Sequence, residues 1–257
     1  MGWARDPGVI KIADRQYAKQ KWWDDHFTKA RSRNMRLGLT GRDAARLEAQ
    51  TGGLGAAWMQ AAPADSACTI IRAEDYRLGL RWHLGLPVLS VENDKSECPA
   101  CKEQVDIFGD HLLCCRRNNF YGRHYAVQEA LISMAQSGDQ PFLREAPLNK
   151  ANNRTPGPAL RPADILLRAW QGGKDHAVDV TISHPLQAAQ VPWTAAKAKS
   201  FLAMVEKRKV AKYEAACSME GWAFSGAAFD TSGGTGPGAR QILWKLLIRA
   251  VGAVPLN

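Results

Sequence analysis

The chain has 257 residues, 46% of them hydrophobic, with a net charge of +9 and a pI near 9.4. That length and composition allow one large domain or two small ones around a real core. No apolar run reaches the roughly 18 residues of a membrane span, and the N-terminal residues do not read as a signal peptide.

Residues 12–50 interleave Lys, Arg and Trp with little Gly or Pro, which reads as basic helices. Asp24 and Asp25, after Trp23, are helix surface, because too few residues precede them for a polymerase palm. A second helical stretch begins at Gly41 and meets a C-cap signal at Gly52-Gly53. Residues 54–90 read as a short apolar segment, a turn and a helix that stops at Gly85-Leu86-Pro87. Ile70, Ile71, Tyr76, Leu78 and Trp82 are expected in the core, and His83 as a satisfied core histidine.

After the polar run Glu92–Ser96 comes the most informative segment. Two residues separate Cys98 from Cys101, and three separate His111 from Cys115. Two cysteines on one turn, with a histidine and a cysteine at i and i+4 on one helical face, match a tetrahedral zinc site. Cys114 is the rival to Cys115, and the cleaner i, i+4 geometry favours Cys115. With every position filled by protein, the ion is structural rather than catalytic. Cysteines clustered in this way suit a reducing, intracellular compartment better than a disulfide framework. The positive charge calls for a polyanionic partner, nucleic acid first.

Arg116 and Arg117 form a basic link. A helix then opens near Tyr121, with Ala126, Val127, Ala130, Leu131 and Met134 on its apolar face. A strand follows with Glu145 at its centre, then a Pro/Gly turn over 151–161. Ala163–Trp170 reads as a buried strand, Gln171–Asp175 as a hairpin turn and His176–Ile182 as the partner strand. Residues 194–219 form a helix carrying Lys197, Lys199, Lys207, Arg208, Lys209 and Lys212. Another strand, a flexible Gly-rich loop and a final helix with Leu243, Leu246, Leu247 and Val251 complete the chain. The order implies an α/β fold with a small mixed sheet flanked by helices, preceded by a helical region.

Two carboxylates break the strand pattern. Asp164 opens one strand after Arg161-Pro162-Ala163, and Asp179 lies between Val178 and Val180 in the next. A carboxylate among strand apolar residues is unfavourable unless it is paired or binds a cation. Together, with Glu145 as a third acid and Glu129 as a fourth, they present the hard oxygen donors that suit Mg²⁺ or Mn²⁺. The plainer alternative makes one acid a strand-end cap and pairs the other with the lysine-rich helix.

Taken in order, these motifs resemble the restriction-like endonuclease domain of site-specific non-LTR retrotransposons, a branch of the PD-(D/E)XK nucleases. The carrying residues are Cys98, Cys101, His111 and Cys115 as a zinc knuckle, Arg123-His124 opening a helix, Arg161-Pro162-Ala163-Asp164, Asp179, and Lys209-Val210-Ala211-Lys212-Tyr213. The sequence departs from the family at Ala163, which separates Pro162 from Asp164. It departs again at Thr181, where the strand motif carries lysine. The family supplies a lysine from the following helix, here Lys209 or Lys212, with Lys209 preferred.

The resemblance implies a restriction-endonuclease-like core and a divalent-metal-dependent DNA endonuclease. Asp164 and Asp179 would hold Mg²⁺, with Glu145 and a lysine in support. Arg116, Arg117, Arg123, His124, Arg161 and Tyr213 would contact nucleic acid: DNA, or the RNA of a retroelement. The expected divisions are a helical basic region 1–97, the zinc knuckle 98–120 and the nuclease domain 121–257. The expected location is intracellular and nuclear. In the family such a domain follows a reverse transcriptase, so this chain is expected to be the tail of a longer element or a captured module. Two other readings stand beside it: a catalytically inactive, zinc-stabilised nucleic-acid-binding module, and a structural domain whose basicity is incidental.

Overall fold

The computed structural model describes residues 20–51, 57–59, 71–89, 97–118, 120–148 and 161–252. The C-cap expected at Gly52-Gly53, the core residue Ile70, the Glu92–Ser96 link and most of the Pro/Gly turn lie outside the described residues, as do the side chains of Lys197 and Lys199. The chain divides into two compact units, Met1–Thr40 and Gly41–Asn257.

The described part of the first unit is helix α1 (Gln20–Leu37). Its polar sequence forms a helix without a continuous apolar stripe, and Trp23, Phe27, Met35 and Leu37 are exposed. Asp24 and Asp25 are exposed on the same helix.

The second unit is mixed α/β. It contains α2 (Gly41–Thr51), α3 (Ala73–His83), the short α4 (Asp110–Cys114) and α5 (Phe120–Ser137). Then come β1 (Phe142–Ala146), β2 (Ala163–Gln171), β3 (Lys174–Ser183), α6 (Val191–Met219), β4 (Ala223–Asp230) and α7 (Pro237–Ala250). The four strands lie in the order β1-β2-β3-β4. The first three are antiparallel and β4 runs parallel to β3. A parallel neighbour needs a crossover, and α6 supplies it.

The hairpin between β2 and β3 turns on Gly172 and Gly173, at φ +59° and +75°. Both central residues of this two-residue turn occupy the left-handed region that glycine tolerates.

Helices α5 and α7 cover one face of the sheet. Leu131, Ile132, Ala135, Ile165, Leu167, Val178, Val180, Ile242 and Leu246 form the main core there. Each such aliphatic side chain contributes roughly 1.5–3 kcal/mol through burial. On the other face α6 packs Cys217 and Tyr213 against Ala163, Leu166, Ala177 and Phe224, and α2 lies against α6.

The buried face of α5 is rotated from the expected one. Ala126 and Ala130 are exposed, whereas Gln128, Ile132 and Ala135 are buried. Gln128 goes inside because its amide has backbone and side-chain acceptors to reach. Ile71, Tyr76 and Leu78, expected in the core, are exposed, and α3 contains no fully buried residue. On α7 only Leu246 of the expected apolar set is buried, with Leu243 partly so; Leu247 and Val251 face outward. His83 is half-buried, its ring edge-on to Trp58.

The loop expected to be flexible is tied down. Asp230 Oδ1 accepts from Ser232 N and Gly234 N, both at 2.8 Å. The Glu206 carboxylate of α6 accepts from Ala228 N, Gly238 N and Ala239 N at 2.9–3.1 Å, capping the N-terminus of α7. A Cβ on Gly234 or Gly236 would strike the Asp230 or Glu206 carboxylate. Those glycines serve close approach rather than mobility.

Candidate functional site

Cys98, Cys101, His111 and Cys115 converge. Their ligand atoms all lie within 4.8 Å of one another, and the cluster could hold a metal ion such as zinc. Cys98 Sγ and Cys115 Sγ are 3.7 Å apart, and Cys101 Sγ is 3.1 Å from His111 Nε2. A tetrahedral site with Zn–S bonds of about 2.3 Å has S···S edges of about 3.8 Å, so the spacing fits.

The local backbone explains the convergence. Cys98 N donates to Glu103 O and Lys102 N to Cys98 O, both at 2.8 Å, closing a tight turn in which Lys102 adopts φ +68°. The Asp106 carboxylate accepts from the N–H groups of Phe108, Asp110 and His111 and so caps α4. Glu103 Oε2 lies 3.7 Å from His111 Nδ1, the nitrogen that faces away from Cys101. A carboxylate in that position orients a ligating imidazole. Cys114 turns elsewhere, its Sγ donating to His111 O at 3.5 Å.

Asp110 anchors this segment to its surroundings. Its carboxylate takes Arg42 of α2 in a two-pronged ion pair and Trp82 Nε1 of α3 at 3.1 Å, with His184 Nε2 at 3.6 Å. Burial works to raise its pKa, but the neighbouring His184 and the Arg42 guanidinium prevail and hold it at about 2. Arg123 of α5, predicted to contact nucleic acid, donates to Leu113 O at 2.6 Å and braces the same segment.

The sheet acids lie at the end of a ladder. The β2–β3 pairing stops at Ile165 and Val178, while β3 continues beside β4 to Ser183. Asp164 and Asp179 are the next residues past that last pair. On the other side of β2, Glu145 falls opposite Asp164, between the pairs Arg144–Ile165 and Ala146–Ala163. Glu145, Asp164 and Asp179 therefore form one row across three strands. Pro162, buried just beyond, has no N–H with which to resume the pairing.

Where the ladder ends, side chains take over the backbone partners. Val180 N donates to Asp164 Oδ2 at 2.6 Å. His124 Nε2 lies 3.1 Å from both Asp164 Oδ2 and Val180 O, two acceptors that require this nitrogen to carry the proton. The hydrogen bond to Asp164 raises the pKa of His124 against the effect of burial. Gln128, one helical turn on, donates to Asp164 O at 2.8 Å and to Glu145 Oε1 at 3.2 Å. Glu145 is exposed and sits at φ +48°, a strained conformation for a non-glycine residue.

Asp179 is almost enclosed and meets Lys209 Nζ at 2.8 Å. Burial raises its pKa; Lys209 opposes the rise and the charge of Asp164 adds to it. Lys212 points instead over the Tyr213 ring, 4.7 Å from its centroid. Tyr213 packs on Phe224 as part of the core. Arg161 and Arg117 are exposed. Glu129 pairs with Arg144. Among the described residues, no set of three or more His, Cys, Asp or Glu gathers here as the Cys98 group does.

Beside the acids opens a cleft of about 470 Å³ between the Cys-rich segment, α5 and α6. Arg116, Arg123, Arg208, Lys209 and Lys212 line it together with His124, and among the described residues no carboxylate does.

Sequence reasoning missed Gln128, Glu206, Asp230, Asp110 and His184. Gln128 had a faint signal, as a polar residue four after His124 on a helix with apolar neighbours. Among the described residues, no helix is long and apolar enough to cross a membrane. No protein-family model matches this sequence, and no curated protein matches it.

Proposed function

We propose that the chain is a divalent-metal-dependent DNA endonuclease of the restriction-like type, belonging to or derived from a non-LTR retroelement, with a structural zinc knuckle. The carrying observation is the end of the β2–β3 ladder. Asp164 and Asp179 are cross-strand neighbours just past its last pair, Lys209 stands 2.8 Å from Asp179, and a cationic cleft lined by His124 and Lys209 opens alongside.

Two carboxylates suit magnesium, which keeps its waters and takes one or two protein carboxylates together with substrate phosphate oxygens. Bound there, Mg²⁺ or Mn²⁺ supplies polarisation of the phosphodiester and a more acidic water. Asp164 and Asp179 would hold it, with Asp164 oriented by His124 and Val180 N. Lys209, at Asp179, would donate to the attacking water or to the charge that builds on phosphorus. The cleft cations fix the phosphate backbone. Zinc held by the Cys98 group would lock the wall that carries Arg116. This activity places the protein with genomic DNA in the nucleus and with retroelement RNA as a second partner.

The test is nicking of supercoiled plasmid in Mg²⁺ by the parent chain, Asp164→Ala and Asp179→Ala. Cutting by the parent and none by either variant supports the proposal; equal activity in all three removes it. The Lys209–Asp179 ion pair favours a second reading, a catalytically inactive, zinc-stabilised nucleic-acid-binding module. Salt-dependent DNA binding without any nicking assigns that reading instead.

A further inference from the structure

We infer that the α5 face bearing Tyr121 and Tyr125 is a stacking platform for unpaired nucleobases, so that nucleic acid is single-stranded or splayed where it meets the acids. The inference rests on the nucleic-acid reading above and names its substrate form.

Tyr121 is 84% exposed and Tyr125 58%. At about 100° of rotation per residue, Tyr121, His124, Tyr125 and Gln128 share roughly a 100° arc of the helix. His124 lies 3.1 Å from Asp164 Oδ2, and Gln128 bonds Asp164 O and Glu145. The two rings therefore lie on one side of the residues that hold the acidic row. His124 also lines the cationic cleft, so the platform and the cleft meet at one residue.

Charge sorts the two surfaces. Cations line the cleft, which suits phosphates. Beside Tyr125 stands Glu129, which it hydrogen-bonds and whose charge is matched by Arg144, so the exposed ring lies against a neutral ion pair and suits an uncharged base. A single exposed aromatic is ordinary on a protein surface. Two on adjacent turns, next to the residues that join a cationic cleft to the acidic row, match the combination that binds unpaired strands. A duplex keeps its bases stacked on each other, whereas an unpaired base offers a free face to tyrosine.

The experiment measures binding of the full chain to a labelled single-stranded DNA of about 12 nucleotides, and to the same sequence as duplex, by anisotropy without added divalent ion. Tyr121→Ala and Tyr125→Ala are each expected to weaken single-strand binding about 5- to 150-fold, at the roughly 1–3 kcal/mol typical of base–aromatic stacking. Duplex affinity should stay unchanged, and the Tyr→Phe variants should bind as the parent does. Alanine variants that bind single strands normally, or lose both substrates equally, overturn the inference; so does loss of binding in the phenylalanine variants. No cutting occurs in this assay. A failed plasmid assay therefore leaves the stacking result readable, and a failed stacking result leaves the plasmid assay intact.

Discussion

Lys209 Nζ lies 2.8 Å from Asp179 Oδ2 and ties α6 to β3 at the end of the β2–β3 ladder. Lys212, one turn further along the same helix, stands over Tyr213. The two lysines thus occupy different environments although their sequence contexts are alike. Lys209→Ala should abolish plasmid nicking, whereas Lys212→Ala should keep most of it while weakening DNA binding modestly. Single-turnover cleavage rates and DNA affinity, measured together on both variants, separate the two roles. Equal loss of cutting in both would remove the distinction.

Asp179 should reduce the stability of the native state at neutral pH. Burial is the main cause of its raised pKa. The folded chain therefore holds this proton at pH values where the unfolded chain has released it. Stability contributed by the group falls as pH rises from the ordinary carboxylate value through the raised native one. Asp179→Asn should be more stable than the parent at neutral pH and lose that advantage in acid, read from urea midpoints across pH. Such a gain is the usual sign of a residue kept for function.

His124 gives stability the same direction of pH dependence, but here the charged form is the one the fold favours. Its native pKa is raised, first by the hydrogen bond to Asp164. The stabilisation is complete below the ordinary histidine value of 6.5 and fades as pH rises through the raised native value. His124→Gln should flatten this segment of the stability–pH curve. An NMR titration of the imidazole should place its midpoint above 6.5.

Zinc should bind with about one equivalent per chain, given four converging ligands. Cys98→Ser and Cys115→Ser should abolish stoichiometric binding and lower the melting temperature. Cys114→Ser should keep the metal, because that thiol faces His111 O. Metal content by atomic absorption alongside thermal melts checks all three.

Glu206 accepts three backbone N–H groups from the end of β4 and the start of α7. Glu206→Ala leaves those donors buried and should destabilise by about 3 kcal/mol. Zinc content should not change, since the Cys98 group is built from other segments. Denaturant unfolding and metal analysis on one preparation test both halves.

The converging Cys98, Cys101, His111 and Cys115 were legible because a candidate metal site leaves a local signature: two pairs of ligand residues at turn and helix spacing, in one short segment. The Gly172-Gly173 hairpin was legible for a similar reason, since a two-residue turn with positive φ admits few sequences. Asp164 and Asp179 were conspicuous as acids inside strand patterns. That they share a row with Glu145 depends on strand register, which no local window contains. The misplaced core residues have the same origin. Whether Tyr76 and Leu78 are buried depends on what packs against α3, and periodicity describes a helix without its neighbours.

By itself the sequence determined the element order, the mixed α/β class, the basic character and the Cys98–Cys115 ligand set, all properties of short spans or of composition. Only the tertiary structure decided that Lys209 rather than Lys212 meets Asp179, and that His124 and Asp164 complete the bonds of Val180. It also turned a glycine-rich loop into a fixed cap around Glu206. The physical reason is common to these cases. A buried polar group must find a partner, and the partner that packing brings within 3 Å is set by the whole fold rather than by adjacent residues.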